Sequence, residues 1–228
     1  MGKLKNRLLK TDQMSDALLL SLFLAFSGGF QDAYTYIARG HVFANAQTGN
    51  IVLMSTKLLS GEWMDGLRYL LPLFAFAAGV FVSDLIRENH RGLFSKHWRQ
   101  TVLLLEMAFL FVTGFIPAEW NILANMIVSF VCAMQVEAFR KVNGKAYAST
   151  MCIGNLRSMT ASLSGWLIHH DRTKLLNALD YLLVIFVFAL GAGIGGVLSA
   201  GGDMRMIWIC IAFLGVSWFL MHIEPKGE

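Results

Sequence analysis

The 228-residue chain is 56% hydrophobic and only 15% charged, with a mean hydropathy of +0.55. That is more apolar surface than a soluble domain of this length can bury, and it places the protein in a bilayer. Its net charge of +4 does not point to nucleic acid, because the basic residues cluster at the ends of apolar stretches instead of along one exposed face.

Taken in chain order, six stretches approach the ~20 residues that cross a hydrocarbon core. They are roughly 16–37, 67–86, 101–116, 121–139, 175–199 and 205–222. Between them lie two shorter, more polar segments, about 46–60 and 150–166, which are also read as helices. Residues 31–87 recur later in altered form. Gln31, Gly40, Phe43, Ala44, Gly49 and Asn50 match Gln135, Gly144, Tyr147, Ala148, Gly154 and Asn155. Tyr69–Gly79 likewise matches Tyr181–Gly191. The chain is therefore one membrane domain, 1–228, built of two units at about 15–117 and 118–224.

Charge decides between topologies. If all eight helices crossed, the loops carrying Arg87, Arg91, Lys96 and Arg99 and carrying Arg140, Lys141 and Lys145 would lie outside, against the positive-inside bias. If the two polar helices enter and return on the same side, fourteen of the nineteen basic residues become cytoplasmic, Arg39, Lys57, Arg68 and Arg205 lie outside, and Arg157 is left within the second polar helix. The expectation is an all-α polytopic protein with six transmembrane helices and two short non-crossing (re-entrant or broken) helices. Each unit then has three crossings, so the second is inverted, and both termini are cytoplasmic. Breaks are expected at Thr48-Gly49-Asn50 and Ile153-Gly154-Asn155, where glycine frees the backbone and asparagine caps the exposed groups. Trp63 and Trp120 should mark the outer boundary and Trp98 the inner one.

Gly28-Gly-Phe-Gln-Asp-Ala-Tyr-Thr-Tyr36 and Phe43-Ala-Asn-Ala-Gln-Thr-Gly-Asn50 resemble the signature of the YoaK-like family of bacterial inner-membrane proteins. The likeness covers nearly the whole chain. It implies a multi-pass protein of the bacterial cytoplasmic membrane and, because that family has no assigned function, supplies no catalytic residues.

Ionisable groups inside spans are expensive and are read as functional candidates. The substrate-binding candidates are Gln31, Asp32, Gln47, Thr48, Asn50, Glu137, Asn155 and Arg157, with Glu106 as the proton carrier. Arg157 should contact either an anionic ligand or a carboxylate, Glu137 or Asp32. Its alternative role is a packing ion pair. Asp84 and Arg87, three residues apart, read as an interfacial pair, and His169-His170-Asp171 lacks the partners of a catalytic site. Cys132, Cys152 and Cys210 lack the spacing of a disulfide framework or zinc site. No nucleotide-binding or zinc-protease motif occurs, so no catalytic residue, metal or cofactor is assigned, and the chain is not expected to be an enzyme.

Inverted repeats around interrupted helices are a recurring plan of secondary transporters. The functional expectation is a small secondary transporter or channel-like permease for a small polar or anionic solute, coupled to protons. The alternative is a non-transport module, a sensor or assembly partner, whose polar helices are structural. The expected partners are the lipid bilayer, the solute and a second copy of the chain, with no nucleic acid. A single cysteine at Ser60 or Gly66, in a background lacking the native cysteines, should react with a membrane-impermeant thiol reagent from outside intact cells. Protection that ends when the membrane is opened would instead mean eight crossings.

Overall fold

The computed structural model describes residues 16–89 and 98–222. The basic residues Lys3, Lys5, Arg7, Lys10, Arg91, Lys96 and Lys226, which enter the topology argument, lie outside them. The described chain forms eight α-helices: α1 (Leu18–Ala38), α2 (Gln47–Leu59), α3 (Trp63–Asn89), α4 (Trp98–Thr113), α5 (Asn121–Ala138), α6 (Cys152–His169), α7 (Arg172–Ser199) and α8 (Trp208–Leu220). Trp63–Asn89, Ala118–Ala138 and Arg172–Ser199 are long and apolar enough to cross a membrane. Met204–Leu220 is a shorter apolar helix. At 21 residues α1 spans about 31 Å, but Gln31 and Asp32 dilute its apolar character. The one departure from all-α structure is a two-stranded hairpin, β1 (Lys141–Val142) and β2 (Lys145–Ala146). Asn143 and Gly144 turn it with φ of 48° and 75°. An Asn-Gly pair suits the type I′ turn that such a short loop needs.

Two helix pairs make the frame, α1 with α7 and α3 with α5. Each is close-packed through glycine. A side chain at Gly191 would strike the Phe26 carbonyl, and one at Gly195 would meet the Phe30 backbone. In the other pair a side chain at Gly79 would strike the Phe130 carbonyl. Ser83 Oγ, one turn further on, donates to Met134 O at 3.2 Å. Phe26 and Phe130 are matching positions of the two units, as are Gly191 and Gly79, so the same contact is made twice with the units exchanged. Both pairs are parallel. The two pairs run oppositely, because Arg39 at the end of α1 meets Asn121 and Asn125 at the start of α5. The remaining contacts follow the same exchange: α2 lies on α3 as α6 lies on α7, α4 on α5 as α8 on α1, and α4 touches α8. Trp63, at the start of α3, and Trp120, just before α5, fall at the end of the bundle where α1 finishes, and Trp98, at the start of α4, at the end where α1 begins.

The expected breaks are displaced. Gly49-Asn50 and Gly154-Asn155 lie in the first turns of α2 and α6, and the non-helical stretches precede them, at 39–46 and 139–151. Each stretch doubles back along α1. Ala44 N donates to Thr35 Oγ1 (3.1 Å) and Asn45 Nδ2 to Gly28 O (3.2 Å), which returns the first stretch ten residues down the helix. From the other end Tyr147 donates to Ser21 O (2.9 Å), and Thr150 reaches Gly28 with its methyl. The asparagines clamp these stretches. Asn50 donates to Phe43 O (2.7 Å) and accepts from Phe43 N (3.0 Å), while Asn155 donates to Ala148 O (2.8 Å). Each reaches back over a distance that a cap within the helix does not cover.

Gly191→Ala and Gly79→Ala should each cost about 1–3 kcal/mol of stability by forcing backbone apart. Gly154→Ala, into open space on a helix, should be neutral or gain up to ~1 kcal/mol. Thermal melts of the purified variants check the contrast.

Candidate functional site

Where the returning stretches meet the helices, a buried polar cluster forms around Glu106. This residue projects from the middle of α4 and is 0% exposed. Gln31 of α1 donates to Glu106 Oε1 (3.0 Å) and to Ser27 Oγ (3.0 Å), and its own oxygen accepts from Cys132 Sγ (2.7 Å). These contacts leave the Gln31 amide one favourable orientation, donor toward Glu106. Gln135, the matching glutamine on α5, approaches the same carboxyl from the other side. Its amide has two usable orientations. In one, Nε2 donates to Ser149 Oγ (2.7 Å) and weakly to Leu24 O (3.4 Å). In the other, Nε2 donates to Glu106 Oε1 (3.0 Å) and Oε2 (3.3 Å), and the amide oxygen accepts from Ser149 (2.7 Å).

Asp32, next to Gln31, accepts from the Asn45 N–H at 2.7 Å and so holds the first returning stretch against α1. Two oxygens close by, Asn45 Oδ1 and Thr150 Oγ1, are buried without a partner among the described residues. Both side chains touch Gly28, one helical turn before Asp32. The arrangement offers acceptors: a carboxylate, an amide oxygen and a hydroxyl.

Of the sequence candidates, the structure brings Gln31, Asp32 and Glu106 together. Gln47 and Asn50 bond each other (3.0 Å), and Gln47 also donates to Ala44 O (2.8 Å), so both shape the first stretch from its edge. Thr48 is exposed at the start of α2, and Asn155 performs the equivalent clamp in the second unit. Glu137 is elsewhere. It bridges Arg87 and Arg140, each at 3.2 Å, at the end where α1 begins. Arg157 lies on an exposed face of α6, and its expected pairing with Glu137 or Asp32 is not made, because those carboxylates are engaged by Arg87, Arg140 and Asn45. Arg87 does pair with Asp84, as its spacing suggests. Asp171 caps α7 by accepting from Thr173 N (2.8 Å), after His170 (φ 52°) ends α6.

Sequence reasoning missed Gln135 as a site residue, although the repeat had aligned it with Gln31. It also missed Asn45, Ser149 and Arg39. Arg39 was read as an outside loop charge, yet it is 0% exposed. Its guanidinium donates to Tyr34 Oη (2.8 Å), Ile116 O (2.7 Å), Thr113 O (2.8 Å) and Asn121 Oδ1 (3.2 Å). It thereby satisfies carbonyls freed at the end of α4. No local sequence signal distinguishes it from a solvated arginine.

Long apolar helices around a buried polar interior define a polytopic, all-helical membrane protein. Residues 20–220 match the family described as "Protein of unknown function (DUF1275)", and the chain belongs to that family. It is similar to UPF0700 transmembrane protein YoaK of Bacillus subtilis (strain 168), at 27% identity over 219 residues, covering 92% of this chain and 96% of the relative. No solved structure matches the chain.

Arg39→Met should cost about 3 kcal/mol or more, because it strands several buried carbonyls. Arg157→Gln should stay within about 0.5 kcal/mol of the parent. Melting curves in the same detergent read both.

Proposed function

We propose that this chain is a small proton-coupled secondary transporter of the bacterial cytoplasmic membrane, acting on a small polar solute. Six helices, α1, α3, α4, α5, α7 and α8, cross the bilayer, and α2 and α6 are re-entrant. The units form an inverted repeat, and both termini are cytoplasmic. The opposite directions of the α1–α7 and α3–α5 pairs support the inversion. The return of each stretch to Gly28 supports re-entrance, since non-helical backbone at membrane depth is tolerated only when covered by protein or facing a cavity. The basic residues described at the end where α1 begins, Arg87, Arg99, Arg140 and Lys145, support the orientation.

The observation that carries the reading is the convergence of Gln31 and Gln135, the same position in each unit, on one membrane-embedded carboxyl. A site shared between two inverted units is where alternating access places substrate and coupling ion. Glu106 is the proton carrier in this reading. Asp32, Asn45 and Thr150 offer acceptors to a solute that donates hydrogen bonds, while Arg157, the group suited to an anion, faces away. A second copy of the chain would supply the helices that a single unit of six lacks.

The non-transport module remains the competing reading, favoured by one fact: Asn50 and Asn155 spend their amides on internal clamps. Proteoliposomes carrying a lumenal pH dye, challenged with a panel of small amino and hydroxyl solutes, distinguish the two. Transport predicts solute-driven proton movement that falls at least tenfold in Glu106→Gln while the melting curve is kept. A well-folded protein with no solute-driven movement, and a stable protein partner in its place, would carry the module reading.

A further inference from the structure

The two glutamines that reach Glu106 are not equivalent, and the difference supplies a coupling device. Gln31 is pinned at both ends. Its oxygen takes the Cys132 thiol proton, and its nitrogen serves Ser27 and Glu106. Whatever the charge of Glu106, Gln31 can present the same donor. Apart from Glu106, Gln135 is held mainly by Ser149, a group that accepts as readily as it donates, with a weak bond to Leu24 O at 3.4 Å in one orientation. Each of its amide orientations suits one protonation state of Glu106. An ionised carboxylate accepts from the Gln135 nitrogen at 3.0 and 3.3 Å, while the amide oxygen takes the Ser149 proton. A protonated Glu106, with its hydrogen on Oε2, donates to the amide oxygen at that same 3.3 Å position, and the nitrogen turns to Ser149 Oγ at 2.7 Å.

Ser149 also faces Tyr147, whose phenol donates to Ser21 O at 2.9 Å. A Ser149 that accepts from Gln135 keeps its own proton for the Tyr147 oxygen. A Ser149 that donates to Gln135 has none left.

We propose that Gln135 is a positioning residue that reads the proton on Glu106 and passes it as a reversal of hydrogen-bond polarity to Ser149 and Tyr147, loosening the stretch before α6 when Glu106 ionises. Only the second unit responds, so one proton acts on one re-entrant segment. The transfer is a proton binding to or leaving Glu106 from solvent. No covalent bond other than that O–H changes, and Gln135 rotates without exchanging a proton. The other ionisable groups around Glu106 are Asp32 on α1, Cys132 on α5, Cys210 on α8 and Tyr147 itself. Asp32 accepts from the Asn45 N–H and makes no bond to Gln135 among the described residues, so it does not compete for the amide. The use of this movement rests on the transport reading, whereas proton binding and loosening are measurable without any solute.

The experiment uses the full chain in lipid nanodiscs, with Cys152→Ser and a nitroxide at Met151, which is 43% exposed; Cys132 and Cys210 are buried. Infrared difference spectra follow the Glu106 carboxyl, identified by its loss in Glu106→Gln, and the nitroxide follows the stretch. The expected result is one midpoint for both signals, with mobility rising as the carboxyl ionises. Glu106→Gln should hold the nitroxide at its low-pH value, because its amide can donate to the Gln135 oxygen as the acid does. Gln135→Met should leave a titrating carboxyl and a flat nitroxide response. Should Gln135→Met not fold, Ser149→Ala is expected to cut the link in the same way.

A nitroxide response that survives either variant with the carboxyl midpoint, or a carboxyl that never titrates, overturns the proposal. The first result leaves the transport reading standing, because that reading is tested by Glu106-dependent solute-driven proton movement in the proteoliposomes; a carboxyl that never titrates would also remove Glu106 as its proton carrier.

Discussion

A buried donor or acceptor left without a partner costs about 1–3 kcal/mol, and this chain takes two non-helical stretches back along α1 to Gly28. Much of the fold answers that cost. The stretches are covered by α1, α5 and α7, and several of their amides and carbonyls are met by side chains: by Asn50 and Asn155 from the first turns of the next helices, by Asp32 and Thr35 from α1, and by the Tyr181 phenol of α7, which donates to Ala146 O. The glycine contacts of α7 on α1 and of α3 on α5 bring the backbones close enough for these short bonds to close. Loosening those contacts would therefore reach the polar cluster without touching a polar residue.

The two ends of the bundle solve different problems. At the end where α1 begins, charges are paired near the surface: Asp16 with Arg99 at 3.1 Å, Lys145 with the buried Asp180 at 3.2 Å, and Glu137 between Arg87 and Arg140. The more exposed of these pairs stabilise by about 0–1 kcal/mol each. The far end also has exposed pairs, Lys57 with Glu62 and Arg68 with Asp65, but there a buried arginine has no carboxylate among its described contacts and instead collects carbonyls at the end of α4. Arg39 gains from the negative end of a helix dipole and from the number of its bonds. It also joins α1 to α4 and α5, which the repeat contacts alone connect weakly.

Much of this was legible in the sequence, and the omissions share a cause. The long helices were readable because a bilayer demands long apolar runs, and the correspondence of Gln31 with Gln135 and of Asn50 with Asn155 was readable because those positions kept their identities. The hairpin at Asn143-Gly144 is a local signal that was read only as part of a loop. Arg157 and Glu137 were drawn into the site by residue type, since a charge in an apolar segment looks intramembrane until its helix face is known. Arg39 was sent outside for the opposite reason. Which face a polar residue presents is set by packing between helices distant in sequence, and periodicity in weakly amphipathic membrane helices does not report it. Glu106 was the exception, because a mid-span carboxyl has no aqueous face to turn toward.

The pairing of α1 with α7 has a consequence for how the protein is made. Gly191 reaches the ribosome exit 165 residues after Phe26, the carbonyl it packs on, whereas Phe130 follows Gly79 by 51. At about 5–20 residues per second, α3 finds α5 within a few seconds of synthesis, while α1 waits on the order of ten seconds for α7 with Gln31 and Asp32 unsheltered. During biogenesis α1 thus waits longest for its principal neighbour, and its part of the polar cluster must be shielded by the insertion machinery or by water until α7 arrives.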